Sequence, residues 1–299
     1  MFKEYEEYFS TLEIDKSPHT VRSYKKSLGD FVEKLEINSI EDLKELKSSD
    51  IQEYLNYLVV NGNSKNPNSA KATANARYRV IKAFLNWLVS MGYMEASPTD
   101  NVKRYKESKS IPIIFTKEER DRIILATKKR PNLHMMIALL FYTGLRREEA
   151  VNAKISDIKE GFLLVHGKGN RERQLPLTDF VLEMIEESIR KRKDSSPYLL
   201  VSMRGGHQIT PQALLTRVKV ACRMAGIPEE KIKKIGAHTI RRSFACNLMM
   251  DGWSTFAISK ALGHSNIMVT ERYVEPAKSI AMNVAMFNQP APEWYEEKV

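Results

Sequence analysis

Phe162-Leu163-Leu164-Val165-His166-Gly167-Lys168-Gly169-Asn170-Arg171-Glu172-Arg173-Gln174-Leu175-Pro176-Leu177 decides how this chain reads. Its arms, 162–166 and 173–177, are short runs that favour extended backbone. The Gly167-Lys168-Gly169-Asn170 turn between them makes one antiparallel hairpin. On both sides of it, apolar residues recur three or four apart, the spacing of a helix that buries one face. A hairpin set among helices gives a fold that is mainly α with a small antiparallel β-sheet.

After the hairpin, helices are expected over about 179–193, 211–225, 239–251, 254–262 and 276–287. Before it, Thr116 with Glu119 three residues on is a capping box that opens a helix to about Lys128. An apolar helix from Pro131 to Tyr142 follows, stopped at Thr143-Gly144. These elements make a domain over 115–290, with a tail at 291–299 and a linker at 106–114. The wider stretch Ser97 to Pro112, with Lys103, Arg104, Lys106 and Lys109, reads as exposed.

Residues 1–105 read as a small helical bundle. Phe2 to Leu12 is weakly amphipathic. Ser17-Pro18 is a cap followed by a first-turn proline, and it opens a helix with Val21, Tyr24, Leu28, Phe31, Val32 and Leu35 on one face. Asp50 can cap a helix carrying Ile51, Tyr54, Leu55 and Leu58. A loop at 64–69 then leads to a long helix from about Ala70 to Ser90.

At 299 residues the chain has room for two domains. A 42% hydrophobic fraction argues against disorder. No apolar run approaches the ~20 residues that cross a bilayer. The charged start Met1-Phe2-Lys3-Glu4 lacks the apolar core of a signal peptide. Cys222 and Cys246 alone make neither a disulfide framework nor a zinc cluster. A cytoplasmic protein without a membrane partner is expected.

The net charge is +10. Residues 1–105 hold 15 basic and 15 acidic residues, so the whole excess lies in 106–299. Such a balance points to a polyanion. The long helix of the bundle adds Lys71, Arg77, Arg79 and Lys82 with no acidic residue. One basic helix by itself is a solvated face. Beside a basic second domain, these four become candidates for phosphate contacts.

Taken singly, the reactive residues are ordinary. Arg146 follows a helix stop, Lys168 sits on a turn, His238 and Arg241 lie three apart, and His264 and Tyr273 suit a packed turn and a core. No spacing of His and Cys suits a metal, and no Gly-x-Ser-x-Gly elbow is present. Gly167-Lys168-Gly169 is not the phosphate-binding loop of an ATP site. Together, two arginines, a lysine, two histidines and a tyrosine suit a phosphodiester. Arginine forks match nonbridging oxygens. A phenol, which costs about 4 kcal/mol to ionise at pH 7, attacks if a histidine takes its proton and cations hold the charge.

These residues lie in four boxes: Thr143-Gly144-Leu145-Arg146-Arg147-Glu148-Glu149-Ala150, the Lys168 hairpin, His238-Thr239-Ile240-Arg241-Arg242-Ser243-Phe244-Ala245, and Leu262-Gly263-His264-Ser265 through Thr270-Glu271-Arg272-Tyr273. In order and spacing they resemble those of the tyrosine recombinase (phage integrase) family. The resemblance covers about 115–290 with strong motifs. It extends weakly over 1–105, which is similar to the family's SAM-like core-binding domain.

The resemblance implies that Tyr273 attacks a DNA phosphate to give a 3′-phosphotyrosine. Arg146 and Arg241 hold its oxygens, Lys168 protonates the leaving 5′-oxygen, and His238 moves the phenol's proton. His264 donates a hydrogen bond and Glu149 orients Arg146. It implies no cofactor, no metal and no small-molecule substrate. The implied partner is double-stranded DNA bearing a specific recombination site, bound by a homotetramer that exchanges strands through a Holliday junction. The apolar segment 280–287 resembles the family's protomer-docking helix, and packing on its own domain fits it nearly as well.

No further DNA-binding domain is expected before the bundle, an arrangement similar to the simpler Xer-like recombinases. These resolve chromosome or plasmid dimers, and a compact integrase of a mobile element carries the same boxes. Two departures stand out: Ala153 where the first box usually has leucine, and Arg242 where a histidine often follows the second arginine. A topoisomerase-like nicking enzyme and a non-catalytic architectural DNA-binding protein are the competing readings.

Overall fold

The computed structural model describes residues 2–62, 67–107, 112–167, 172–202, 206–264 and 266–287. The chain divides into two compact units, Met1–Ser110 and Ile111–Val299. Among the described residues no helix is long and apolar enough to cross a membrane.

The first unit is helical: α1 Lys3–Asp15, α2 Pro18–Lys34, α3 Ile40–Glu45, α4 Ser48–Asn61 and α5 Pro67–Ser90. Ser17 caps α2 through its hydroxyl, with Pro18 in the first turn, as its sequence predicts. Leu28, Phe31, Ile51, Leu55, Ile81, Phe84, Leu85 and Leu88 are fully buried at its centre. Tyr5 and Tyr8 of α1 pack their rings against Phe84, which anchors a helix with little amphipathic signal.

Three boundaries differ from the sequence reading, each for a local reason. Helix α3 has a single buried apolar residue, Leu43. It is held by a capping box in which Ser39 Oγ accepts from Asp42 N and Asp42 Oδ2 accepts from Ser39 N. Helix α4 starts at Ser48 because Asp50 occupies its third position, where its carboxylate accepts from Lys47 N at 2.9 Å. Helix α5 starts at Pro67, a residue that fits a first turn.

Part of the stretch read as exposed is docked, while Asp100, Asn101, Lys103, Arg104, Lys106 and Glu107 are exposed. Tyr78 donates its hydroxyl proton to Thr99 O at 2.9 Å. The buried Asn75 amide donates to Tyr105 O at 2.9 Å and accepts from Tyr105 N at 3.0 Å. Val102 is buried too, so residues 99–105 pack on the first unit. Lys109 lies outside the described residues.

The second unit runs α6 Lys117–Ala126, α7 Pro131–Thr143 and α8 Arg147–Asn152. A 3₁₀ turn Ile155–Asp157 leads to β1 Ile158–Lys159, β2 Phe162–His166 and β3 Glu172–Pro176. It ends with α9 Asp179–Lys191, α10 Pro211–Met224, α11 Glu229–Lys233, α12 Thr239–Met250, α13 Thr255–Leu262 and α14 Ile267–Phe287. The sheet is antiparallel in the order β1-β2-β3, with Val165 opposite Arg173 and Leu163 opposite Leu175. It has one strand more than the hairpin, because β1 is only two residues long and leaves no alternation to read.

Helix α7 is buried almost throughout, from Leu133 to Phe141, and α12 packs on it and on α13 and α14. Helix α14 begins nine residues before the expected 276. Pro276 has the chemistry of a first-turn residue, yet the backbone is helical on both sides of it. The extra turns carry exposed Ile267, Met268 and Val269, which mask any apolar stripe. Their consequence is that Tyr273 sits within a helix.

Candidate active site

Four chain segments meet in the second unit. Helix α7 ends at Gly144, whose left-handed φ of 59° turns the chain into Leu145 and Arg146. Arg146 caps α8 with extended backbone, and Glu149 takes the third helical position. There its carboxylate accepts from Arg146 N at 2.8 Å and from Arg146 Nη1 at 2.6 Å. Helix α12 delivers Arg241, and the turn after α13 closes over it.

Arg241 is only 2% exposed. It donates through Nη1 to Gly144 O at 2.7 Å and through Nη2 to Leu262 O at 2.6 Å, joining the ends of α7 and α13. Its Nη1 is also 3.8 Å from Glu149 Oε2. Burial and then the charge of Arg146 press its pKa below the ordinary guanidinium value. Arg146 donates through Nη2 to Gly263 O at 3.3 Å, and its side chain is 35% exposed.

Glu149 is the counter-ion of this cluster. Burial alone would raise its pKa, but hydrogen bonds from Arg173 and Arg146 outweigh that and hold it at about 2. Arg173 of β3 grips both of its oxygens, at 2.9 and 2.8 Å. Reading the motifs does not single out Arg173, although a signal exists. In the alternation of β3 it shares the inward side with Leu175, where a charged residue needs a partner.

His238 caps α12 in a non-helical conformation rather than lying within it. Its Nδ1 is 3.1 Å from the hydroxyl of Tyr273. Partial desolvation, then the charges of Arg241, Arg242, Arg146 and Arg147, lower its pKa. His264 lies beside the same phenol, with ring centroids 5.3 Å apart and edge to face. Its Nδ1 is 2.7 Å from Thr270 Oγ1, a fully buried partner. Desolvation and the charges of Arg241, Arg146 and Arg173 push its pKa down to about 4.

Tyr273 is half-buried on α14. Cys246 Sγ donates to Tyr273 O at 3.0 Å, fixing α14 on α12. The Arg242 guanidinium lies 5.4 Å from the centre of the Tyr273 ring, so this departure places a cation on the phenol's face.

Arg146, Glu149, Arg241, His238, His264 and Tyr273 thus share one region, and Arg173 joins them. Lys168 lies outside the described residues. Lys71, Arg77, Arg79 and Lys82 lie on α5 of the first unit. Among the described residues no group of three His, Cys, Asp or Glu gathers as a metal site would. A phenol with an imidazole at its oxygen, beside four guanidiniums and one carboxylate, is equipped to attack and hold a phosphate.

The family model described as "Phage integrase family" matches residues 114–279, and "Phage integrase, N-terminal SAM-like domain" matches 5–95. The chain belongs to the phage integrase family.

A tyrosine recombinase XerD of Staphylococcus saprophyticus is 30% identical over 293 residues, covering 92% of this chain and 94% of its own. The recombinase XerH bound to a palindromic difH substrate superposes with a TM-score of 0.70 at 23% identity, over 89% and 79% of the two chains. A lambda integrase dimer on a COC′ core site gives 0.70 at 18%, over 91% and 94%. At these identities the structural matches establish the fold, a SAM-like helical domain followed by a recombinase catalytic domain. The family and the near full-length relative make this chain a tyrosine-type DNA recombinase, an enzyme of site-specific recombination.

Proposed function

We propose that Tyr273 is the nucleophile of this recombinase. Its hydroxyl oxygen attacks the scissile phosphorus, the bond from phosphorus to the 5′-oxygen breaks, and a 3′-phosphotyrosine remains. His238 takes the phenol proton, and Lys168 supplies one to the departing 5′-oxygen. Arg146, a third exposed, offers its remaining N–H groups to the nonbridging oxygens. Arg241 forms the floor beneath them and adds positive charge where the transition state gathers negative charge. His264 donates a hydrogen bond to the phosphate, and Glu149 fixes Arg146. Rejoining is the reverse, so the covalent link stores the energy of the broken bond.

The partner we propose is duplex DNA carrying a specific site, with the first unit adding contacts through Lys71, Arg79 and Lys82. Solved relatives support a homotetramer on a four-way junction, since lambda integrase is described as a tetramer bound to a Holliday junction. The linker at 106–114, the catalytic domain at 115–290 and action in the cytoplasm belong to the same proposal.

The observation that carries this reading is the 3.1 Å contact between Tyr273 Oη and His238 Nδ1 beside the arginine cluster. Nicked duplexes of randomised sequence test it, because the nick lets the cleaved fragment diffuse away and stops rejoining. Wild-type protein is expected to form a denaturation-resistant adduct, and Tyr273→Phe to bind DNA without one. An adduct with Tyr273→Phe overturns the assignment. No adduct from either protein despite firm binding favours the architectural reading. Strand exchange between two site-bearing duplexes separates recombination from topoisomerase-like nicking.

A further inference from the structure

Arg173 has no part in the chemistry proposed above, yet its setting is demanding. It reaches from β3 beneath the turn at Gly263, where a Cβ added to that glycine would lie 2.8 Å from Arg173 Cδ. Its side chain is 16% exposed and the carboxylate it grips is 4% exposed. Its Nε is buried and has no hydrogen-bond partner among the described residues. Burying two charges this way gains little stability, since an apolar pair of similar volume is often as good. A reason in function is therefore needed.

Counting charge supplies one. Glu149 is the carboxylate of the cluster, and Arg146 and Arg241 are the guanidiniums available to a phosphate. Without Arg173 those three groups sum to +1, and both Glu149 oxygens are free to draw on Arg146 and Arg241. With Arg173, each oxygen also accepts from its fork, beside the bonds from Arg146 N and Nη1, and the cluster stands at +2. A phosphodiester carries one negative charge, and the five-coordinate state formed by attack carries two.

We infer that Arg173 is a positioning residue that occupies Glu149, so that Arg146 and Arg241 keep their remaining donors for the scissile phosphate. It also ties β3, the strand that follows the Lys168 turn, to the arginine cluster. The inference rests on the phosphotyrosine reading above, and its test separates the two.

Single-turnover cleavage of the nicked duplex is measured for wild type, Arg173→Gln, Glu149→Gln and the double variant, with DNA affinity and thermal unfolding for each. Arg173→Gln is expected to lose about 100-fold in rate, because it leaves a buried carboxylate to compete for Arg146 and Arg241. Glu149→Gln keeps an acceptor for Arg146 and removes the charge, so the double variant is expected to regain about tenfold over Arg173→Gln. A merely structural loss is not repaired by a second loss.

A double variant no faster than Arg173→Gln, with both folded, overturns the inference. So does Arg173→Gln cleaving within a factor of three of wild type. Absence of an adduct from wild type itself would instead count against the phosphotyrosine reading. Should Arg173→Gln fail to fold, Arg173→Lys takes its place. It keeps the charge without the fork, and it is expected to lose about tenfold, again recovered by Glu149→Gln.

Discussion

The Tyr273 hydroxyl meets Nδ1 of His238 at 3.1 Å, and the imidazole at that contact is one whose pKa partial burial, and then the surrounding arginines, lower. The direction matters, because a proton acceptor must be unprotonated. An ordinary histidine is half charged once pH has fallen to about 6.5. His238 stays neutral further into acid, so cleavage is expected to hold level through that range and fall only below it. Single-turnover rates across pH measure this. His238→Gln, which lacks a base of comparable strength, is expected to cleave about 10²–10⁴-fold more slowly and to lose the acid limb, with DNA affinity unchanged. A decline centred on the ordinary imidazole value would show that burial and the arginines do not act on His238 as argued.

His264 makes a different prediction, on stability. Its pKa of about 4 in the folded protein lies below that of an unfolded histidine. Between those two values the unfolded chain binds a proton that the folded protein refuses, so acidification through this window removes stability. The unfolding temperature of wild type is expected to fall more steeply from pH 7 to pH 5 than that of His264→Asn. Thr270 Oγ1 lies 2.7 Å from His264 Nδ1; with the hydroxyl donating, the ring proton would sit on Nε2, the tautomer that the proposed hydrogen bond to phosphate needs. Thr270→Val is expected to slow cleavage by about tenfold, the worth of one buried hydrogen bond.

How far the sequence reaches is clear from these residues. Tyr273, His238, His264, Arg146 and Arg241 are legible because each lies in a local box whose order and spacing carry the pattern. Arg173 is not, because its meaning is a contact with Glu149, 24 residues earlier, that exists only once β3 and α8 are in place. In the fold, long helices with a repeating apolar face are legible, as is the hairpin. Short elements are not. Helix α3 rests on a capping box and one leucine, and β1 rests on its pairing with β2. The docking of 99–105 is hidden by its own charged residues, since Lys103 and Arg104 are exposed while the neighbouring Val102 is buried.

Gly144 and Gly226 separate backbone strain from crowding at the site. Both adopt left-handed backbone, with φ of 59° and 68°. A Cβ at Gly226 meets nothing within 4 Å, whereas at Gly144 it would lie 2.4 Å from Phe244 Cδ1 and 3.1 Å from Leu262 Cδ2. Gly226→Ala is therefore expected to cost about 1–2 kcal/mol, the left-handed penalty alone, and to leave cleavage unchanged. Gly144→Ala adds the clash, for a total of about 3 kcal/mol or more. It also shifts the carbonyl that accepts from Arg241, so the folded fraction is expected to cleave slowly. Denaturant unfolding and single-turnover cleavage check both variants.

The basic helix α5 divides its four cations in a way that salt titration can read. Lys71, Arg79 and Lys82 recur at 8 and 3 residues, close to one face of a helix, and Arg79 is exposed. Arg77 lies on another face. It pairs through Nη2 with Asp30 of α2 at 2.5 Å, and its Nη1 is buried with no partner among the described residues. Removing one cation that neutralises a duplex phosphate lowers the slope of log affinity against log salt by about 0.9. Arg79→Ala and Lys71→Ala are expected to flatten the slope by that amount each. Arg77→Ala is expected to leave it unchanged and to destabilise the first unit by about 1–2 kcal/mol, because Asp30 keeps partial access to water. An equal flattening by Arg77→Ala would assign Arg77 to the DNA face and make its ion pair a resting contact that DNA displaces.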